Sequence, residues 1–202
     1  DMKPFFDSWT MQSNYPVVFV TNDYQVYQRR YTDGGAEQDR HWILPLYYSY
    51  RKDGKVTTEM VELRDQPLKL NIPEGVEWVL VNEARKSLCR TCYLDGAFEK
   101  IKSGISDGSI SRFDKFAILT DLSAFAISGV VGFSVLLDAL SLFEGETDYF
   151  VMQQIIGCMS TLEQTFPIHK ELLKKLSLKI FKPTLNAIGL EPHENEGNNN
   201  SQ

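Results

Sequence analysis

The chain has 202 residues, of which 43% are hydrophobic and 24% are charged. This composition is typical of a globular protein that buries a sizeable core. The 21 lysines and arginines are outnumbered by 27 aspartates and glutamates, and the net charge of −6 excludes a global positive field that would attract nucleic acid. The 3 cysteines do not indicate a disulfide framework, and they favour a reducing, cytoplasmic compartment without excluding others.

Targeting signals were sought at the start of the chain and in its most apolar stretch. Asp1 is not followed by a basic and then apolar leader, which predicts no signal peptide and an internal piece of a longer protein. Residues 130–143 are too few for the ~20 residues of a membrane span, so we expect a buried helix and no membrane span. Residues 193–202 are polar and predict a disordered tail.

The first half of the chain has the period-two pattern of β-strands. Strands are predicted over residues 16–21, 24–31, 40–51, 55–63, 68–72 and 78–81. Asp53-Gly54 is a two-residue signal for a hairpin, and the apolar run 78–81 predicts a central, covered strand. Six or seven short strands with no helix between them indicate an antiparallel β-sandwich.

After residue 95 the apolar residues recur every three or four positions, which is typical of amphipathic helices. Helices are predicted around residues 118–125, 133–140, 152–162 and 172–180. Asp148 is expected to cap the third of these, and Pro183 to end or kink the last. The predicted fold is therefore α+β in two segments, an antiparallel β-sandwich followed by antiparallel α-helical hairpins that begin an α-solenoid.

Catalytic and metal-binding patterns do not occur among the histidines and cysteines. His41, His169 and His193 are too far apart in sequence for a helical zinc pair. Cys89 and Cys92 form a C-x-x-C sequence, but residues three apart in a strand point to opposite faces, so the pattern favours two packed side chains over a redox or metal site. The third cysteine, Cys158, lies on an apolar helix face and is expected in the core.

Clusters of charge are also interpreted as structural. Arg29, Arg30 and Arg40 are diluted by acidic neighbours and predict a solvated rim of the sheet. Glu144, Glu146 and Asp148 could bind a cation, although helix capping is the commoner use of such carboxylates. No glycine-rich phosphate loop, nucleophile elbow or dinucleotide motif is present in the sequence.

Short motifs spread along the chain resemble those of one enzyme family. Trp9, Thr10, Gln12, Tyr15 and Pro16 match a Trp-Thr-x-Gln-x-Gly-Tyr/Phe-Pro motif, in which Asn14 replaces the glycine at a predicted positive-φ turn. Further matching segments are Trp42–Tyr47, Leu80-Val81-Asn82, Arg90 with Tyr93, Asp114-Lys115 with Asp121, Ala126 and Gly129, Glu146–Tyr149, and Gly189–Pro192. In this order they resemble the zinc aminopeptidases of the puromycin-sensitive aminopeptidase and aminopeptidase N family. Ser87, Lys115 and Met152 depart from the family pattern and indicate a divergent member.

The resemblance implies a division into four parts. Residues 1–15 would end the catalytic domain, 16–94 would form the β-sandwich domain, 95–192 would be the first helices of the helical domain, and 193–202 the tail. The parent protein would remove N-terminal residues from peptides, using a zinc ion held by two histidines and a glutamate. Those residues would lie before Asp1, so the resemblance implies no catalytic, cofactor-binding or metal-binding residue, and no zinc, in this chain.

Two functions from different classes follow. In the first, the chain is a non-catalytic spacer between the catalytic and helical domains, and its partners are the rest of the parent aminopeptidase and, through the parent, a peptide substrate. In the second, it is a free-standing protein-interaction module with no enzymatic role. A cysteine-based redox or metal protein is a third hypothesis, which alkylation and metal analysis would test.

Overall fold

The computed structural model describes residues 2–32, 34–37, 40–94 and 96–189. The predicted tail, 193–202, and the last three residues of the Gly189–Pro192 motif lie outside the described residues. The elements in chain order are α1 (Lys3–Thr10), β1 (Pro16–Val20), β2 (Gln25–Thr32), β3 (Gly35–Glu37), β4 (Leu44–Lys52), β5 (Lys55–Leu63), β6 (Leu68–Lys69), β7 (Trp78–Val81), β8 (Arg90–Tyr93), α2 (Ala97–Ser106), α3 (Arg112–Ile127), α4 (Phe133–Leu140), α5 (Tyr149–Thr165) and α6 (Lys170–Ile188). The α+β class is as predicted.

The described strands form two sheets within a compact unit that spans Asp1–Leu142. One sheet has the order β3-β2-β1-β8, with β6 paired to β2, and the other has the order β5-β4-β7. The hairpin at Asp53-Gly54 is confirmed, because both residues have positive φ and Lys52 pairs with Lys55 across them. The short strand β3 was not predicted.

Both sheets contribute to one buried cluster. Val18, Val20 and Val26 come from the first sheet, and β4 adds alternate residues whose side chains are at most 9% exposed. Those β4 residues are Leu44, Leu46, Tyr48 and Tyr50. The other face of the first sheet packs Val17, Phe19 and Cys92 against Phe125 of α3. The predicted alternation of the strands therefore places apolar residues on buried faces.

Two features of the sheets correct the sequence prediction. β8 pairs with β1 in parallel, whereas every strand pairing was expected to be antiparallel. β7 is fully buried as predicted, but it lies at the edge of its sheet and not at the centre. Helix α2 covers it so closely that a Cβ atom on Gly104 would lie 2.7 Å from Cδ1 of Trp78. Helix α2 therefore buries β7, and the apolar pattern of the strand does not predict this helix.

Helix α1 is held to the segment that precedes β4 by residues of the first motif. The indole Nε1 of Trp9 donates to the carbonyl of Ile43 at 3.0 Å, and Nε2 of Gln12 donates to the carbonyl of His41 at 2.8 Å. The Trp9 ring also lies 6.1 Å from the ring of Trp42. Asn14, in the turn that follows, has φ 69°, as its place in the motif predicts.

Helices α3 to α6 contain the four ranges that the sequence predicted, whereas α1 and α2 were not predicted. Ser111 caps α3, Gly129 follows it with φ 74°, and Asp148 caps α5 by accepting from the backbone N–H groups of Phe150 and Val151. Helix α6 does not end at Pro183 but continues to Ile188. Thr184, which is 1% exposed, donates to the carbonyl of Glu146 at 2.8 Å and so fixes the turn that follows the proline. Helices α5 and α6 belong to a second compact unit, Phe143–Gln202.

Candidate functional site at the polar junction

Buried charged and amide side chains are concentrated where β7, β8 and α3 meet. Asn82, Asp114 and Asp121 are 5–6% exposed, although these side chains are polar. Buried polar groups need partners, because an unpaired one costs about 1–3 kcal/mol. We call this site the polar junction. Its members are Asn82, Arg85, Arg90, Asp114 and Asp121.

Asp121, on α3, is the centre of the polar junction. Its Oδ2 accepts from the backbone N–H of Thr91 at 2.9 Å. Its Oδ1 accepts from Nη2 of Arg85 at 3.0 Å and from Nη1 of Arg90 at 2.9 Å. One carboxylate therefore ties the strand β8 and the turn before it to helix α3.

Asp114, about two turns before Asp121 on α3, holds a strained turn. Ala84 and Arg85 have φ of 52° and 53°, and Asn82 has φ 64°, which is the left-handed region that non-glycine residues rarely adopt. Oδ1 of Asp114 accepts from the backbone N–H of Ala84 at 2.7 Å. This contact stabilises the turn conformation that directs Arg85 toward Asp121.

Asn82 and Tyr93 satisfy the backbone on the sheet side of the polar junction. The amide of Asn82 donates to the carbonyl of Cys89 at 2.9 Å and accepts from the N–H of Ser87 at 2.8 Å. The hydroxyl of Tyr93 accepts from the backbone N–H of Val81 at 2.9 Å. Because β7 is an edge strand, the Tyr93 hydroxyl replaces a partner that a neighbouring strand would supply, while Asn82 satisfies the turn that leads into β8.

Arg90 connects the polar junction to the aromatic residues of the first sheet. Its Nε donates to the hydroxyl of Tyr15 at 2.9 Å, and its guanidinium carbon lies 5.3 Å from the centre of the Tyr31 ring. The rings of Tyr15 and Tyr31 stack at 5.4 Å. Such cation–π contacts fix the orientation of the guanidinium.

Burial sets the electrostatics of the polar junction. It raises the pKa of Asp121 above its ordinary value, and the lowering contributions of Arg85, the Thr91 N–H and Arg90 do not cancel this. Burial also raises the pKa of Asp114, against hydrogen bonds from Ser111 and Ala84. For Arg90, burial by itself lowers the pKa, but Tyr15 and Asp121 raise it on balance. The ion pairs therefore lie in a poorly solvated site, where the positions of the hydrogen-bond partners keep the opposite charges in contact.

Four of the five residues of the polar junction, all except Arg85, belong to the sequence motifs, and the polar junction lies in the part of the chain that matches a known family. The profile of the ERAP1-like C-terminal domain matches residues 78–202, which include the whole polar junction. The chain belongs to this family. Its predicted resemblance to the aminopeptidases is confirmed by curated relatives that match most of its length.

Three of these relatives show the extent of the similarity. "Aminopeptidase 2" of Candida albicans is 24% identical over 90% of the chain and 20% of the relative. "Aminopeptidase M1-A" of Oryza sativa is 24% identical over 97% of the chain and 24% of the relative, and the "Puromycin-sensitive aminopeptidase" of Caenorhabditis elegans is 23% identical over 87% and 21%. The chain therefore spans about a fifth to a quarter of the length of the curated relatives it matches.

The cysteines lie where the sequence predicts. Cys89 packs in the cluster shared by the two sheets and Cys92 in the cluster on the opposite face of β8, and the three cysteines are buried and form no disulfide. Burial raises the pKa of the Cys89 thiol, and it raises that of Cys92 to about 12. Such thiols are almost wholly protonated at neutral pH and are poor nucleophiles. Cys158 is 1% exposed on α5, in the core as expected.

The other candidates are dispersed. Glu146 accepts from the N–H groups of Thr147 and Asp148, and Asp148 caps α5, so these carboxylates serve the helix start, as capping predicts. His41 and His169 lie in different compact units, and His193 lies outside the described residues. Within the described ranges, no group of three histidine, cysteine, aspartate or glutamate side chains could hold a metal. The described residues therefore do not fit the zinc ion of the aminopeptidases.

The arginines differ in their surroundings. Arg30 pairs with Glu37 on the rim at 2.5 Å, Arg40 is exposed, and Arg29 is half-buried. The guanidinium carbon of Arg29 lies 5.5 Å from the Phe19 ring centre and 5.6 Å from that of Tyr27. Aromatic faces accept a guanidinium, so a strand arginine flanked by aromatic residues is not necessarily solvated.

Sequence reasoning did not single out Arg85 as a functional residue. The role of Arg85 depends on the tertiary structure, since nothing in the local sequence shows that residues 82–85 turn through left-handed conformations toward α3.

None of the described helices combines the length and apolarity that crossing a bilayer requires.

Proposed function

We propose that the chain is a non-catalytic part of a zinc-dependent aminopeptidase that removes N-terminal residues from peptides. The observation that carries the proposal is the similarity to aminopeptidases over 87–97% of the chain, together with a length of only a fifth to a quarter of theirs. A segment this short relative to those enzymes need not contain their reactive centre. No residue of this chain is assigned a catalytic or metal-binding role.

In that parent, the chain acts as a spacer between the catalytic and helical domains. Residues 1–15 would close the catalytic domain, 16–94 would form the β-sandwich and 95–192 would begin a helical solenoid. Support for the sandwich comes from the buried cluster to which both sheets contribute. The anchoring of α1 through Trp9 and Gln12 supports a fixed path from the first segment into the sheets.

An activity and metal assay tests the non-catalytic role. The purified 202-residue chain should neither hydrolyse an aminoacyl fluorogenic reporter nor retain stoichiometric zinc after dialysis. A longer polypeptide that also includes the residues encoded upstream of residue 1 should hydrolyse the reporter and retain zinc. Those upstream residues should include His-Glu-x-x-His. Hydrolysis that co-purifies with the 202-residue chain would refute the proposal. A natural transcript without any catalytic segment would favour the free-standing interaction module instead.

Substitutions in α1 test the spacer role in the longer polypeptide. Trp9→Phe keeps an aromatic side chain but removes the Nε1 hydrogen bond to Ile43, and it should lower kcat/KM without loss of zinc. The control is Met11→Ala, since Met11 is 77% exposed and should tolerate the change. Equal activity of the two variants and the wild type would contradict a positioning role for this anchor.

A further inference from the structure

An open groove lies beside the polar junction, on its solvent side. Its volume is about 220 Å³, and it lies within the first compact unit. The residues that line it are Tyr15, Arg85, Leu88, Cys89, Arg90 and Thr120. Two of the six are arginines, and no lining residue is acidic. Because Cys89 is buried and protonated, the arginines dominate the chemistry of the groove.

The two guanidinium groups are only partly used by the protein. Nη2 of Arg85 donates to Asp121 and to the carbonyl of Ala117, while Arg90 donates through Nε and Nη1. A guanidinium has five N–H donors, and in the described part of the chain no acceptor binds Nε or Nη1 of Arg85 or Nη2 of Arg90. The side chains are 35% and 21% exposed, so solvent or a ligand reaches them.

The charges around the groove leave a positive surface. Asp121 is shared by both arginines and lies behind them, 5% exposed. Asp114 lines a separate interior cavity of about 20 Å³ with Asp121 and not the groove. Two positive charges against one buried negative charge favour an anion at the open side, and two guanidiniums favour a planar one.

Backbone strain is a second, independent observation at the same place. Ala84 and Arg85 are held in left-handed conformations that non-glycine residues rarely adopt, and such strain concentrates at functional sites. The packed β8–α3 contact needs Asp121 paired, and Arg90 already pairs with it. The strained turn adds a second guanidinium, which a purely structural ion pair does not require.

The edge of the groove indicates what the anion is attached to. Leu88 lines the groove and is 69% exposed, although leucine is an apolar side chain. An aliphatic stem bound next to the arginines would cover this surface, and removal of apolar area from water favours that contact. A bare inorganic anion would leave Leu88 exposed to water.

We propose that this groove binds a carboxylate carried on an aliphatic stem, with Arg85 and Arg90 as the donors and Leu88 as the contact for the stem. Two sources share this chemistry, a free aliphatic acid and a glutamate side chain in a peptide. Arg85 is expected to provide most of the affinity, because Arg90 is also committed to Tyr15. The proposal does not depend on the aminopeptidase assignment.

An NMR titration of the 202-residue chain tests the proposal. Butyrate, formate and acetyl-Leu-Glu-amide are added separately, with sodium chloride at equal ionic strength as the reference. The Thr91 amide, which donates to Asp121, and the Nε–H of Arg85 are the reporters. Saturable shifts with butyrate or the peptide, and at least threefold weaker binding of formate, are expected. Saturation by the peptide alone would identify a protein segment as the source, and saturation by both would show that the free acid suffices.

Three variants separate this site from non-specific ion binding. Arg85→Gln should weaken butyrate binding at least tenfold, while Arg64→Gln, at an arginine whose side chain is 58% exposed in a strand-end ion pair, should not. Leu88→Ala should reduce the preference for butyrate over formate without unfolding the protein. Equal binding by wild type and Arg85→Gln would overturn the proposal. If Arg85→Gln fails to fold, an unchanged preference in Leu88→Ala would overturn it.

Discussion

The polar junction and the α5–α6 pair are stabilised in different ways. At the polar junction, buried carboxylates, guanidiniums and an amide join two strands to helix α3. In α6, only Leu173, Ile180 and Thr184 of 19 residues are buried, and Asp148 caps the start of α5. Buried charge makes the first region intolerant of change, whereas the second region depends on a narrow apolar face and on caps.

The largest effect is expected from Asp121→Ala. The substitution leaves two guanidiniums and the Thr91 N–H without their acceptor, and removal of one partner from a buried ion pair costs about 3–5 kcal/mol. The free energy of unfolding in urea should fall by that amount. Asp138→Ala, at an exposed position of α4, should change it by less than about 0.5 kcal/mol. Similar losses in both variants would show that Asp121 contributes no more to stability than an exposed aspartate.

A smaller loss is expected from Tyr93→Phe. The ring remains in the core, but the buried N–H of Val81 loses the hydroxyl that accepts from it at 2.9 Å. An unsatisfied buried donor costs about 1–3 kcal/mol, which urea unfolding measures. The matched control is Tyr149→Phe on α5, because Tyr149 is 67% exposed. An undiminished stability of Tyr93→Phe would mean that water replaces the hydroxyl.

In the second compact unit, the loss of the α5 cap should have a moderate and local effect. Asp148→Ala removes the acceptor for the N–H groups of Phe150 and Val151 and should cost about 1 kcal/mol. Hydrogen exchange should accelerate in the first turn of α5 and leave β4 and β5 unchanged. Asp148→Ser should restore most of the protection. Acceleration throughout the sheets would contradict a local effect of the cap.

The smallest effect on stability is expected from the titration of two carboxylates whose pKa values shift in opposite directions. Hydrogen bonds from Lys69 and Thr21 lower the pKa of exposed Asp23 from 3.8 to about 2, whereas burial raises that of Asp121. The contribution of Asp23 to stability is present above its ordinary pKa and is lost as pH falls toward 2. For Asp121, the folded state retains the proton more strongly, so its contribution declines as pH rises through the raised pKa.

A carboxyl carbon NMR titration checks both signs. Lys69→Met should raise the midpoint of Asp23 toward 3.8, because it removes the ammonium group 2.7 Å from Oδ2. The midpoint of Asp121 should not move in this variant. A midpoint of Asp121 below the ordinary aspartate value would show that the two arginines outweigh burial.

Local patterns predicted much of the secondary structure. The period-two pattern predicted a strand over residues 40–51, and the alternate residues Leu44, Leu46, Tyr48 and Tyr50 of β4 are buried. The hairpin at Asp53-Gly54, the positive φ of Asn14 and the cap at Asp148 were also predicted. These features depend on residues that are close in sequence, so their physical causes can be read without the fold.

The candidate site was predicted only in part. The family motifs included Asn82, Arg90, Asp114 and Asp121, but the sequence did not indicate that they converge. Arg85 was missed, because its position depends on a turn held by Asp114, which is 30 residues away along the chain. The groove could not be predicted, since it exists only where β8 and α3 lie side by side.

The amino-acid sequence by itself determined the class of this protein, its change from strands to helices and the family to which it belongs. Periodicity and turn chemistry act over a few residues, and motif order is preserved along the chain. The tertiary structure alone decided that β1 and β8 pair in parallel, that β7 is an edge strand under α2, and that the charges meet at Asp121. Contacts between residues far apart in sequence depend on the packing of whole elements, which no local pattern specifies.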